Sequence, residues 1–130
     1  MIRVKTLTVQ LIDAQPDRIR ICRIDGESLV TVVVPREDLA EAKSLPNIPQ
    51  RGVYYLLDED HGNVSRVYAG QTTQGIARLD AHKAKKEFWN KAVMFLDDDQ
   101  NISRDALDVL EAKAIDYVRT HGSYETDNSA

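Results

Sequence analysis

The sequence predicts an α+β fold: a small mixed or antiparallel sheet flanked by helices, with a β-rich N-terminal extension. Runs rich in β-branched residues, separated by turn-forming residues, occupy much of residues 2–34. Two more runs of this kind, at 52–57 and 65–70, lie close enough along the chain to pair as a hairpin. Residues 104–120 carry apolar side chains at helical spacing, with capping residues at both ends.

Composition and charge limit the possible classes of function. With 130 residues, 42% hydrophobic and 29% charged, the chain is typical of an ordered protein with one compact core. No apolar run approaches the roughly twenty residues of a membrane span, and the N-terminus lacks a signal-peptide pattern, so we expect a cytoplasmic protein. The net charge of −4 argues against holding nucleic acid by bulk electrostatics. Any DNA binding must therefore be local.

The front part of the chain is predicted to be rich in β-structure. The expected strands span residues 2–12, 18–24 and 29–34. Pro35 ends the third strand and suits the first turn of a short helix over 36–44. The proline-bearing segment that follows predicts a boundary, which gives a β-rich N-terminal segment over 1–46 and a second domain over 50–130.

The second part is predicted to contain both strands and helices. The expected elements are strands at 52–57, 65–70 and 91–96 and helices at 74–86 and 104–120. The polar residues 58–63 are expected to form the loop of the hairpin. Alternation along the first of these strands places Tyr54 and Leu56 on one face and Tyr55 on the other.

Four lysines surround two aromatic residues near the end of the predicted helix over 74–86. They are Lys83, Lys85, Lys86 and Lys91. Such a run is typical of a local surface that contacts DNA phosphates, and equally of a solvated helix end. The sequence leaves both interpretations open.

Glu111 lies in the apolar stripe of the last predicted helix, four residues after Leu107 and three before Ala114. A carboxylate in that position points toward the core, where an unpaired charge is costly. Two interpretations follow: a buried ion pair with an arginine such as Arg78, or a functional carboxylate. The three histidines show no metal-ligand spacing, and the lone Cys22 is expected to be a packed side chain.

The order of several residues resembles a known family of nucleases. Gly52-Val53-Tyr54, followed after thirteen residues by Tyr68-Ala69-Gly70, resembles the two-strand signature of the GIY-YIG nuclease superfamily, with alanine in place of isoleucine in the second triplet. Further residues follow in the family's order on the expected elements: Arg78, His82, Glu111 and Asn128. The resemblance covers residues 50–130. The front half is similar to the β-rich segment of bacterial relatives that continue into a further C-terminal domain, which implies a longer chain.

The resemblance implies a metal-dependent endonuclease that hydrolyses a DNA phosphodiester bond. Tyr54 would take a proton from water, Tyr68 would place that water, and Arg78 would contact the phosphate. Glu111 would hold one Mg²⁺ or Mn²⁺, and a single carboxylate suffices because Mg²⁺ keeps several waters. His82 would either join the proton relay or hydrogen-bond Tyr68. These side chains are expected to converge on one cleft, with His82 at its edge.

Two alternatives assign no catalysis to these residues. The tyrosines could be a cross-strand aromatic pair that supports a small sheet. The chain could also be a catalytically silent nucleic-acid or protein interaction module on a nuclease scaffold. Because a silent scaffold has no need of both tyrosines, Arg78 and Glu111 together, the enzyme is the favoured hypothesis.

Overall fold

The fold is α+β, as predicted, with one open sheet and a few short helices. The computed structural model describes residues 2, 4–97, 108, 111–114 and 125–126. The strands are β1 (Leu7–Leu11), β2 (Arg20–Ile24), β3 (Leu29–Pro35), β4 (Arg51–Asp60), β5 (Asn63–Thr72), β6 (Lys91–Asp97) and β7 (Glu125–Thr126). Their order in the sheet is β1-β2-β3-β6-β4-β5-β7. All neighbours are antiparallel except β5 and β7, which run parallel.

The front strands extend the sheet of the second half. Strand β3 pairs with β6 along its whole length, from Leu29 opposite Asp97 to Pro35 opposite Lys91. The sheet therefore runs unbroken from the N-terminal segment into the predicted second domain, and the division into 1–46 and 50–130 stays a prediction about folding units. The first strand is shorter than predicted, because it begins at Leu7 rather than at residue 2. It ends at Leu11, just before a turn in which Asp13 and Ala14 adopt positive φ.

The hairpin of β4 and β5 is confirmed, but the predicted loop over 58–63 is wrong. The strands continue to Asp60 and Asn63, and only His61 and Gly62 form the turn. Both have positive φ, 50° and 82°, which is the geometry of a tight type I′ hairpin turn. Backbone pairing thus overrides the polar character of these residues.

Helices cover one face of the sheet. A 3₁₀ turn at Arg36–Asp38 leads into α1 (Leu39–Lys43), and a second at Gly75–Arg78 leads into α2 (Leu79–Lys85). The core between them and the sheet contains branched aliphatic side chains together with Tyr54, Met94 and Trp89, each at most 1% exposed. Tyr54 and Leu56 point into this core and Tyr55 to the other face, as alternation predicts.

Several predictions fall beyond the described residues. Of the predicted helix over 104–120, residues 108 and 111–114 are described, and they are helical. Asn128 lies outside the described residues. Among the helices that the structure describes, none is long and apolar enough to cross a membrane.

Gly52 lies where β4 approaches β6 too closely for a side chain. A Cβ at this position would sit 1.9 Å from the carbonyl oxygen of Phe95. We therefore expect Gly52→Ala to push the two strands apart and to lower the free energy of unfolding by about 1–3 kcal/mol, measured by urea denaturation. Gly26→Asn is the control, because a Cβ at Gly26 meets nothing within 4 Å and asparagine tolerates its φ of +81°. Equal stability of the two variants would contradict this account.

Candidate active site

Four of the predicted site residues line one cleft of about 400 Å³. They come from four separate parts of the chain: Tyr54 from β4, Tyr68 from β5, Arg78 from the turn before α2, and Glu111 from the helical residues 111–114. The predicted convergence is therefore observed, while the roles of these residues stay predictions. Four polar residues complete the lining: Gln71, Thr72, Thr73 and Gln74.

Strand register brings the two tyrosines together. Tyr54 lies opposite Gly70, and Tyr68 lies opposite Leu56, so the tyrosines are diagonal neighbours on the helix-covered face. Their ring centroids are 6.5 Å apart. A Cβ on Gly70 would lie 2.5 Å from the Tyr54 hydroxyl, so the Tyr54 ring occupies the space that a side chain at 70 would need. The glycine of the second triplet thus has a packing role.

His82 is not at the edge of the cleft, which corrects the prediction. It is 5% exposed and lies behind the tyrosines on α2, with its ring centroid 5.5 Å from that of Tyr54 and 5.0 Å from that of Tyr68. Its Nε2 atom is 2.5 Å from the hydroxyl of Tyr54, and this hydrogen bond goes to Tyr54 rather than to Tyr68. The side of α2 that carries His82 also carries the apolar residues of the helix, and it faces the core.

Burial keeps His82 neutral. Burial, together with the positive charges of Arg78, Lys86 and Lys85, lowers the pKa of His82 to about 4. At neutral pH the imidazole is therefore uncharged, and one ring nitrogen has a free lone pair. With the phenol protonated, the Tyr54 hydroxyl donates to Nε2. His82 thus accepts a hydrogen bond from Tyr54, and its low pKa makes it a weak base.

Tyr54 holds its proton firmly. Burial raises its pKa to about 12, and the neighbouring Tyr68 and the Glu111 carboxylate act in the same direction. Arg78 opposes them by hydrogen-bonding the hydroxyl and by its positive charge. Arg78 thus favours the phenolate, but burial is the larger effect. Deprotonation of Tyr54 therefore needs a proton acceptor or an additional positive charge.

The turn that carries Arg78 is fixed by hydrogen bonds from the polar wall of the cleft. The backbone N–H of Gln74 donates to Thr72 Oγ1 at 2.9 Å, and that of Gly75 donates to the carbonyl of Gln50 at 2.8 Å. Gly75 has a φ of +62°, a conformation that favours glycine. This turn places the exposed Arg78 at the mouth of the cleft, one helical turn before His82.

The helical segment with Glu111 is attached to the outer face of the hairpin. Gln71 Nε2 donates to the carboxylate of Asp108, and the Tyr55 hydroxyl donates to the carbonyl of Ala114 at 3.5 Å. These contacts lie on either side of Glu111 along the helix. Glu111 itself is half-buried and lines the cleft, so the core-facing position predicted from the apolar stripe is only partly reached.

The donor set fits a cation that takes few protein ligands. No cluster of three or more His, Cys, Asp or Glu side chains occurs among the described residues, so a fully protein-enclosed metal cage is not seen there. Mg²⁺ keeps several waters and needs only one or two oxygen ligands from protein. Glu111 supplies one carboxylate, and Gln71 Oε1 is a buried oxygen with no hydrogen-bond partner among the described residues. The residues therefore fit Mg²⁺ or Mn²⁺.

The four predicted DNA-contacting lysines do not form one track. The Lys86 ammonium lies 4.6 Å from the ring centroid of Tyr68, beside the cleft, and Lys85 is exposed on α2. Lys83 and Lys91 line a different depression, where the Lys91 ammonium is 2.7 Å from a carboxylate oxygen of Glu59. Because Glu59 already neutralises Lys91, the position of Lys86 favours phosphate contact more than that of Lys91.

Arg36 supports the site from the front half, and sequence analysis missed it. Its guanidinium donates to the carbonyls of Lys83, Lys86 and Trp89 at 2.8, 2.7 and 3.2 Å, and lies 4.7 Å from the Trp89 ring centroid. It thereby fixes the end of α2 and the following loop, which hold His82 and Lys86. No local pattern marks such a residue, because its partners are carbonyl groups about fifty positions away. Gln71 was missed for a similar reason.

Comparison with known proteins found no matching family model, no similar curated protein and no similar solved structure. The functional argument therefore rests on the residues of the cleft and their geometry. The resemblance to the GIY-YIG signature stays a hypothesis based on the sequence.

The depressed pKa of His82 predicts a pH-dependent stability. Between pH 6.5 and about 4 the unfolded chain binds a proton at His82 that the folded chain does not, so stability falls as pH decreases through this window. His82→Gln keeps a hydrogen-bonding group but does not titrate. The stability difference between wild type and this variant, from urea denaturation at pH 7 and pH 4.5, should therefore shrink at the lower pH by about 1 kcal/mol or more. A difference independent of pH would contradict a buried neutral His82.

Loss of Arg36 should loosen the end of α2. We expect Arg36→Ala to lower the free energy of unfolding by about 1–3 kcal/mol, because three carbonyl groups lose a charged donor. Trp89 is the only tryptophan and is 1% exposed, so its fluorescence should shift to longer wavelength in this variant. Arg23→Ala, which removes one exposed bond to the carbonyl of Asn47, is the control and should leave the emission unchanged. An unshifted spectrum for Arg36→Ala would disprove that Arg36 fixes the end of α2 and the following loop.

Proposed function

We propose that this chain is a metal-dependent endonuclease that hydrolyses a DNA phosphodiester bond by a GIY-YIG-type, one-metal mechanism, in the cytoplasm. One observation carries the proposal. Tyr54, Tyr68, Arg78 and Glu111 line a single cleft, and a neutral buried His82 lies within hydrogen-bonding distance of Tyr54. A cross-strand tyrosine pair that only supports the sheet needs neither an arginine and a carboxylate beside it nor a buried proton acceptor. The hypothesis that the tyrosines have only a packing role therefore accounts for less of the site.

Hydrolysis needs a deprotonated water as nucleophile, and Tyr54 with His82 can provide it. With a pKa of about 12, a free phenolate at pH 7 would amount to only about one molecule in 10⁵. The proton transfers must therefore be concerted. As the water oxygen bonds to phosphorus, its proton passes to Tyr54 Oη while the phenolic proton passes to His82 Nε2. The imidazolium, whose pKa is low, then releases this proton through Tyr54 to solvent, so that both groups are neutral again.

The rest of the cleft acts on the phosphate and the leaving group. Arg78, exposed at the mouth, neutralises charge that develops on the phosphoryl oxygens. The bond from phosphorus to the 3′ oxygen breaks, its electron pair stays on that oxygen, and solvent protonates it, which leaves a 5′-phosphate and a 3′-hydroxyl. Glu111 and the Gln71 oxygen, which has no partner among the residues that the structure describes, would hold Mg²⁺. The ion would supply positive charge to stabilise the phosphate and the leaving oxygen.

DNA contact must be local, because the chain is acidic overall with a net charge of −4. Lys86 lies over the ring of Tyr68, and Lys85 is exposed one residue earlier. These two lysines extend the positive charge of Arg78 along one side of the cleft. We therefore propose that the DNA backbone enters along Lys85 and Lys86, and that Lys83 and Lys91 contribute less.

Glu111→Gln is the sharpest test of the enzyme. It keeps the size of the side chain but removes the charge that holds the metal, so plasmid cleavage in Mg²⁺ or Mn²⁺ should fall about 10²-fold or more. DNA affinity without metal should stay close to that of wild type. Tyr54→Phe should reduce cleavage similarly by removing the proton carrier. Asp80→Asn, which loses an exposed carboxylate on α2 that pairs with Lys43, is the matched control and should cut normally.

The competing hypothesis, a silent interaction module on a nuclease scaffold, gives a different result. In that case wild type would not cut single-stranded, duplex or branched DNA in either metal. Glu111→Gln would then change only thermal stability. This combination of results would reject the enzyme.

A further inference from the structure

Strand β1 forms one edge of the sheet and carries none of the usual protection against pairing. Its sequence, Leu-Thr-Val-Gln-Leu, has no charge and no proline, and every residue in it is exposed. Leu7, Val9 and Leu11 are 59%, 48% and 38% exposed, which places them among the largest exposed apolar side chains of the described residues. Edge strands of monomers normally carry charges, prolines or bulges that prevent docking of another strand.

The register of β1 shows which of its backbone groups are open. Hydrogen bonds from Asp25 N to Thr6 O and from Ile12 N to Ile19 O fix the even-numbered residues as the ones bonded to β2. The N–H and C=O groups of the odd-numbered residues therefore point outward, away from the sheet. These residues are the same three apolar ones: Leu7, Val9 and Leu11.

The open edge is self-complementary. A two-fold axis at Val9 would pair Leu7 with Leu11 of a second copy, Thr8 with Gln10, and Val9 with itself. All three outward-facing residues then lie in hydrogen-bonded pairs, which makes about six interchain bonds. Lys5 and Asp13, beyond opposite ends of the strand, would face each other across the axis, and each already pairs within its own chain, with Glu27 and Arg18. No like charges meet within this register.

We propose that a second copy of this chain docks on β1, so that the two sheets join as one antiparallel sheet across a two-fold axis. A second copy fits this edge because the apolar residues are placed symmetrically about Val9. An identical antiparallel strand then makes the same contacts on both sides of the two-fold axis. The interface is small, so the dimer should form at concentrations on the order of 10–100 µM. This inference does not depend on the proposed nuclease activity.

Sedimentation of the full chain from 5 to 500 µM tests the dimer. Wild type should pass from the mass of one chain to twice that mass. Val9→Pro removes an outward N–H that bonds nothing in β2, a position where an edge strand tolerates proline. It should stay monomeric with an unchanged circular dichroism spectrum. Val9→Thr keeps the N–H and the branched side chain, and should still dimerise.

Disulfide formation tests the register independently of affinity. In a Cys22→Ser background, Val9→Cys should cross-link to a dimer on oxidation, because a hydrogen-bonded pair has Cα atoms about 5.5 Å apart, within disulfide range. Leu7→Cys alone should not cross-link, whereas Leu7→Cys with Leu11→Cys should. A wild type that is monomeric at 500 µM would overturn the proposal, and so would a dimer that survives Val9→Pro. Binding of a strand from another protein would not rescue it.

Discussion

The candidate site depends on the burial of Tyr54 between the sheet and α2. Its ring is 1% exposed, lies across the backbone of Gly70, and bonds through its hydroxyl to His82. This one side chain joins β4, β5 and α2. A buried phenol and a buried imidazole each need a hydrogen-bond partner. Because each is the partner of the other, the two polar side chains can be packed inside the core.

The same burial sets the protonation states that chemistry would use. It raises the pKa of Tyr54 and lowers that of His82, so both groups are neutral at pH 7. The resting pair therefore holds no buried charge. Arg78 and Glu111 lie on the open side of the cleft, where charge costs less. Packing thus separates a neutral inner pair from a charged outer pair.

Sequence patterns predicted the elements whose signals are local. The hairpin, strand β6 and the face on which Tyr54 lies all follow from two-residue alternation and β-branched or aromatic composition. The gathering of the tyrosines, Arg78 and Glu111 followed from the order of residues within a family resemblance. Local periodicity does not contain that information.

The features that the sequence did not reveal depend on contacts between residues far apart in the chain. The burial of His82 depends on Tyr54, twenty-eight positions earlier. Arg36 fixes the end of α2 by bonding to carbonyl groups, which have no side-chain signature. The pairing of Lys91 with Glu59 spans thirty-two positions and has no local signal either. The prediction of a loop over 58–63 was wrong because polar composition does not show that the two backbones pair right up to a two-residue turn.

The pairing of β3 with β6 links the front strands to the site mechanically. Because β6 lies between β3 and β4, the N-terminal strands support the strand that carries Tyr54 on the side away from β5. Arg36, just after β3, then reaches the end of α2. The front half thus holds both the sheet and the helix that position the tyrosine and histidine pair, although none of its described residues lines the cleft. The front half thereby keeps two elements at a fixed separation, which the 2.5 Å hydrogen bond between Tyr54 and His82 requires.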